Sequence, residues 1–188
     1  MTIYTIGHST RSLDEFIALL TTHRIDQLAD IRTVPRSRRH PHFSGDALAV
    51  SLPAAGIAYR HFKSLGGLRK PRRDSINSGW RHEGFRGYAD YMQTDEFERA
   101  IQELLAWAAG DEGPARRTAI MCAEAVWWRC HRQLVADALI AGPSTALRVG
   151  PSAGIEVRHI TSAAAPAVHA LTDFARITDG RVTYPGLV

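Results

Sequence analysis

Little in this chain points to an extracellular or membrane setting. Its 188 residues include only 2 cysteines, too few for a disulfide scaffold. Reduced thiols and a cytoplasmic location are therefore expected. No apolar run approaches the ~20 residues needed to cross a bilayer. The opening MTIYTIGHST lacks the basic and apolar regions of a secretory signal. Internal repeats are missing, as are a P-loop, a helix-hairpin-helix DNA reader and a dinucleotide fingerprint. Gly7-His8-Ser9 has no following glycines at the required spacing, and Gly66-Gly67 precedes a basic stretch rather than a helix. No nucleotide cofactor is expected. Cys122 and Cys130-His131 are spaced as C-x7-C-H, which matches no common zinc pattern, so no metal is expected either. Disorder is excluded by composition, with 45% hydrophobic and 22% charged residues.

What is present is positive charge in one place. Residues 30–86 carry 12 Lys+Arg against 4 Asp+Glu, while the whole chain is only +4. Most of these cations are arginines, whose planar fork matches phosphate or carboxylate. The concentration points to an anionic partner, nucleic acid in particular. The plainer alternative is a solvated, arginine-rich loop.

The pattern of elements reads as one α/β domain over residues 1–188. Residues 3–6 form an apolar first strand. Ser12 and Glu15 have capping-box spacing, followed by Leu13, Phe16, Ile17 and Leu20 at helical period. Residues 27–31, 57–60, 118–122 and 156–160 read as further strands. Helices are expected around Tyr88–Leu105 and Leu134–Leu139. The Gly- and Pro-containing stretch from Gly142 to Gly154 reads as a loop, and the tail from Thr161 gives no clear pattern. Alternating strands and helices predict a mostly parallel sheet flanked by helices on both faces. A long basic loop excursion is expected at about residues 61–87, where turn residues replace periodicity.

Ligands of such sheets bind beyond the carboxyl ends of the strands. Those ends carry His8 and Ser9, Asp30 and Arg32, Cys122 and Glu124, and His159. Gly7-His8-Ser9 is either an anion cradle at a helix start or a tight turn. Asp30 and Arg32 share a strand face, as an ion pair or as a base beside an anion clamp. Glu124 near two tryptophans suits acid or base chemistry, unless it pairs with Arg129 or Arg132. Cys130 and His131 sit at an expected helix start, which favours a thiolate. Cys122 reads more simply as a small buried residue. Candidate catalytic residues are thus Glu124, Asp30, His8 and His131. Candidate substrate contacts are Ser9, Arg32, Arg36, Ser37, Cys122, Trp127, Trp128, Cys130, Arg132, Tyr88 and His159. Trp127 and Trp128 are core, lid or a stacking platform for a base.

Three blocks together resemble the bacterial and archaeal family known as domain of unknown function 488: Thr5-Ile6-Gly7-His8-Ser9, Asp30-Ile31-Arg32-Thr33-Val34-Pro35-Arg36-Ser37, and Met121-Cys122-Ala123-Glu124 leading to Cys130-His131-Arg132. Tyr59-Arg60-His61, Leu65-Gly66-Gly67, Phe85 to Met92 and Val157 to Ile160 extend the likeness over about residues 3–160. The resemblance implies an α/β domain with a polar site and no assigned reaction.

Three functions fit these residues. The first is an enzyme on nucleic acid or a nucleotide-like anion, such as a repair-type hydrolase removing a base by N-glycosidic cleavage. Glu124 or Asp30 would activate water, and His8 or Arg32 would stabilise charge. The second is a thiol- or carboxylate-dependent enzyme on a small anionic metabolite. The third is a non-catalytic nucleic-acid binding module. No membrane partner is expected.

Overall fold

The computed structural model describes residues 1–110, 115–142 and 154–186. The expected loop from Gly142 to Gly154 therefore lies largely outside the described residues. The sheet has six strands in the order β3-β2-β4-β1-β5-β6. They are β1 (Thr2–Gly7), β2 (Gln27–Asp30), β3 (Ala58–His61), β4 (Thr118–Cys122), β5 (Glu156–Ile160) and β6 (Ala167–Val168). The first five run parallel, and β6 closes one edge antiparallel.

Side-chain alternation along the strands sorts the core into two layers. On one face Tyr4, Ile6, Leu28, Ala119 and Met121 meet α1 (Leu13–Thr22) and α2 (Gly45–Ala54) through Phe16, Leu20, Leu48 and Leu52. On the other, Ile3, Ala29, Ile120 and Val157 meet α3 (Glu83–Tyr91), α4 (Asp95–Ala109) and α5 (Arg132–Ala141). Both faces are covered, as parallel sheets require. The capping box at Ser12 and Glu15 starts α1 as its spacing predicts.

Three elements depart from the sequence reading. Helix α2 was not expected. Helix α3 begins at Glu83, so the turn-rich excursion ends earlier than residue 87. Its residues 72–77 are tied down by Asp90 on α3, which accepts from the Arg72 amide, the Ser75 hydroxyl and the Asn77 amide group. The tail adds a hairpin, β7 (Arg176–Thr178) and β8 (Arg181–Thr183). Among the described residues, no helix is long and apolar enough to cross a membrane.

Strand order places the site. From β1 the chain crosses to β2 on one side, and from β4 it crosses to β5 on the other. The loops leaving β1 and β4 therefore part at their carboxyl ends, which opens a crevice there.

Candidate functional site: a cationic cleft at the strand ends

The floor of the crevice is built from backbone. The ladder between β1 and β4 continues past both strands: the His8 amide donates to the Cys122 carbonyl (3.0 Å) and the Ser9 amide to that of Ala123 (2.9 Å). These amides are thus spent within the fold, and the anion cradle anticipated at Gly7-His8-Ser9 does not form from them. Gly7 permits the close approach, since a Cβ there would sit 1.7 Å from the Glu124 carbonyl oxygen. Ser9 takes φ of 53°, a left-handed conformation that disfavours residues other than glycine.

Beside this floor lies a buried polar knot. Asp30 is fully buried, and its carboxylate accepts from the Arg32 amide (3.0 Å), the Arg32 Nε (2.8 Å) and the Tyr59 hydroxyl (2.8 Å). Burial and the charge of Asp30 push the Tyr59 hydroxyl pKa up. An acid so completely engaged serves as the anchor of Arg32, and it has no free oxygen with which to activate water. His8 stacks on Phe43 with ring centroids 4.2 Å apart. Its Nδ1–H donates to the Ser9 carbonyl, which leaves Nε2 facing Arg32 at 3.5 Å. Burial, aided by Arg32 and His40, lowers the His8 pKa to about 4. At neutral pH His8 is an uncharged acceptor, which leaves Arg32 as the cation of this pair.

Next to the knot two thiols and an imidazole converge. Cys122 ends β4, whereas Cys130 and His131 form the turn into α5. His131 Nε2–H donates to the Ile31 carbonyl (3.0 Å), so Nδ1 carries the lone pair. That nitrogen faces Cys130 Sγ at 3.5 Å and Cys122 Sγ at 3.9 Å. The hydrogen bond between the sulfurs splits their acidities, raising the Cys122 pKa and lowering that of Cys130. Arg132 lies behind them, 1% exposed, and donates to the Glu124 and Ala125 carbonyls. Its Nε has no partner among the described residues. Gly67 packs on the His131 ring, where a Cβ would be 2.4 Å from Nδ1.

Above these groups opens a cleft of about 1040 Å³. Most expected site residues line it: His8, Ser9, Arg32, Arg36, Ser37, Cys122, Glu124, Trp128, Cys130 and His131. Glu124 is exposed and makes no ion pair with Arg129 or Arg132, the two partners considered for it. It is the one carboxylate among the described lining residues, which also include Arg32, Arg36, Arg39 and Arg129.

Five expected residues lie elsewhere. Asp30 and Arg132 sit behind the wall. Tyr88 is fully buried, with its hydroxyl donating to the Leu65 carbonyl. Trp127 stacks flat on His159, with centroids 4.0 Å apart and planes at 4°, so its face is already occupied. His159 belongs to a closed chain in which Thr5, His159, His169 and Asp137 are joined at 2.8, 3.0 and 3.0 Å. Burial, His169 and Arg132 together lower its pKa to about 3. Trp128, by contrast, is 53% exposed at the rim.

The arginine-dense segment also divides. Arg60 pairs with Glu103, Arg72 with Asp74 and Arg86 with Glu83, while Arg69 caps the Tyr91 ring. Only part of the segment faces the cleft. Sequence reasoning passed over Arg39, His40 and His82 at the cleft and Tyr59 behind it. The first two lay within a basic run already visible.

Fold and cleft together define an α/β protein with a thiol- and imidazole-bearing site at the carboxyl edge of a mostly parallel sheet. The profile of the family described as "Domain of unknown function DUF488" matches residues 12–139, and the chain belongs to that family. Neither the curated proteins nor the solved structures contain a match.

Proposed function

We propose that the protein is a hydrolytic enzyme acting on a phosphate-bearing, nucleotide-like substrate, in a nucleic acid or free. The observation that carries this reading is the cleft of about 1040 Å³ with four arginines and a single carboxylate on its walls. That volume suits a ligand of nucleotide size. Arg36, Arg39 and Arg129 hold phosphate, and the exposed face of Trp128 stacks a base. Glu124 takes a proton from the attacking water. N-glycosidic cleavage suits this set, because a carboxylate beside the sugar stabilises an oxocarbenium-like transition state.

The test is binding to single- and double-stranded oligonucleotides over a salt series, followed by base release from a panel of modified bases. Phosphate neutralisation gives a slope of about −0.9 in log K against log salt per contact on duplex. Glu124→Gln is expected to bind normally and release no base. A flat salt dependence excludes nucleic acid as the substrate, and full release by Glu124→Gln contradicts the hydrolytic reading.

A second reading rests on Cys130 Sγ lying 3.5 Å from His131 Nδ1 in the same cleft. It makes the protein a thiol-dependent enzyme on a small anionic metabolite. Loss of turnover in Cys130→Ser, together with flat salt dependence for DNA, would favour it.

A further inference from the structure

We propose that Cys122, Cys130 and His131 form a zinc site whose fourth coordination position opens into the cleft. The two Sγ atoms and His131 Nδ1 all lie within 4.8 Å of one another. With Zn–S near 2.3 Å and Zn–N near 2.05 Å, tetrahedral geometry requires an S···N separation of about 3.6 Å. The observed separations are 3.5 and 3.9 Å.

Three further features fit a metal. The His131 tautomer is fixed from behind by its Nε2–H bond to the Ile31 carbonyl, the outer-sphere arrangement that orients metal-binding histidines. Two thiolates and one imidazole select zinc among common divalent ions and make a charge-neutral centre with it. All three residues line the cleft, so a fourth ligand can enter from solvent. Three protein ligands with one open position is the pattern of a catalytic site, whereas structural zinc is closed by four.

The linear sequence conceals this site. One sulfur ends a strand, and the other donors open a helix after a seven-residue excursion. The excursion is held in place by Arg132 on the Glu124 carbonyl. The metal site stands on these three side chains alone. Its use rests on the hydrolytic reading above: zinc held by these residues would lower the pKa of a bound water, and Glu124 on the same cleft would receive the proton.

The full chain, purified under reducing conditions and stripped with a chelator, is titrated with Co²⁺ and then Zn²⁺. One equivalent of cobalt is expected, with the intense visible bands of tetrahedral cobalt and sulfur-to-cobalt charge transfer in the near ultraviolet. One equivalent of zinc should displace it. Cys122→Ser, Cys130→Ser and His131→Gln should each weaken binding by ~10-fold or more, with circular dichroism checking that each variant folds. A second measurement needs no variant: stoichiometric zinc should protect both cysteines of the wild-type chain from alkylation. The site is overturned by the weak spectrum of octahedral cobalt, by cobalt affinity and charge-transfer intensity that are both unchanged in Cys130→Ser, or by alkylation equally fast with and without zinc. Oligonucleotide binding over a salt series is read separately on the same protein, so the metal site and the substrate reading can fail independently.

Discussion

Two polar clusters share the same sheet, and they are built on opposite plans. In the buried chain every group is spent. Asp137 accepts from His169 Nε2–H, from the Thr172 amide and hydroxyl, and from the Tyr184 hydroxyl. His169 Nδ1 accepts from His159 Nε2–H, and His159 Nδ1 accepts from Thr5. At the cleft the accounting is left open. His131 Nδ1 offers its lone pair to two sulfurs, Arg132 Nε has no partner among the described residues, Glu124 is exposed, and Ser9 holds a left-handed conformation. Both clusters contain histidines at strand ends, so residue type does not separate them. Hydrogen-bond saturation does: a saturated network fixes the fold, and an unsaturated one beside a cleft is available for chemistry.

The largest effect should come from breaking the closed cluster. Asp137→Ala strands four donors in the core and should cost at least ~3 kcal/mol in urea unfolding. A loss under ~1 kcal/mol would mean the network contributes little to stability.

Acid should act on the same cluster next. The His159 pKa is about 3 in the folded protein against an ordinary 6.5. Below pH 6.5 the unfolded chain binds a proton that the folded one refuses, so stability is full above 6.5 and falls as pH drops toward 3. Urea unfolding between pH 6.5 and 5 reads this contribution together with that of His8, whose pKa is lowered to about 4, because most carboxylates titrate lower. Constant stability over that window would contradict it.

The adjacent tryptophans sharpen the contrast further. Trp127→Ala removes the ring stacked on His159 and should lower stability by ~1 kcal/mol or more, leaving oligonucleotide affinity unchanged. Trp128→Ala should change stability by no more than ~0.5 kcal/mol and cost ~1–3 kcal/mol of single-strand binding. The opposite pairing would exchange their roles. The smallest effect is expected for Ser9→Gly, which relieves the left-handed strain and should stabilise the chain by up to ~1 kcal/mol in thermal unfolding.

Much of the fold was legible because apolar strands and amphipathic helices advertise themselves. The strand starting at Ile3 and the capping box at Ser12 are local features. Helix α2 was not read because only Leu48 and Leu52 mark its buried face, and Pro53 near its end reads as a breaker. The last hairpin carried a signal that was passed over: Asp179-Gly180, with φ of 50° and 78°, is the two-residue turn that joins β7 to β8.

The site was legible as a neighbourhood and not as an arrangement. Strand ends named His8, Arg32, Cys122 and Glu124, since topology delivers them to one rim. The pairing of Asp30 with Arg32, two residues on, was open to a local reading, but no local pattern could show that Tyr59 completes the saturation of Asp30, or that Trp127 spends its face on His159. Those contacts join residues 29 and 32 positions apart along the chain. The meeting of Cys122 with His131 is likewise made only by the turn of the chain between β4 and α5.

The most direct measurement of the cleft's role is duplex binding by the double variant Arg36→Ala, Arg129→Ala across a salt series, beside the wild type. If these arginines hold phosphates, the slope of log K against log salt should fall by about 1.8 in magnitude while folding is unchanged. An identical slope in the two proteins would contradict the assignment of the cleft to a phosphate-bearing substrate.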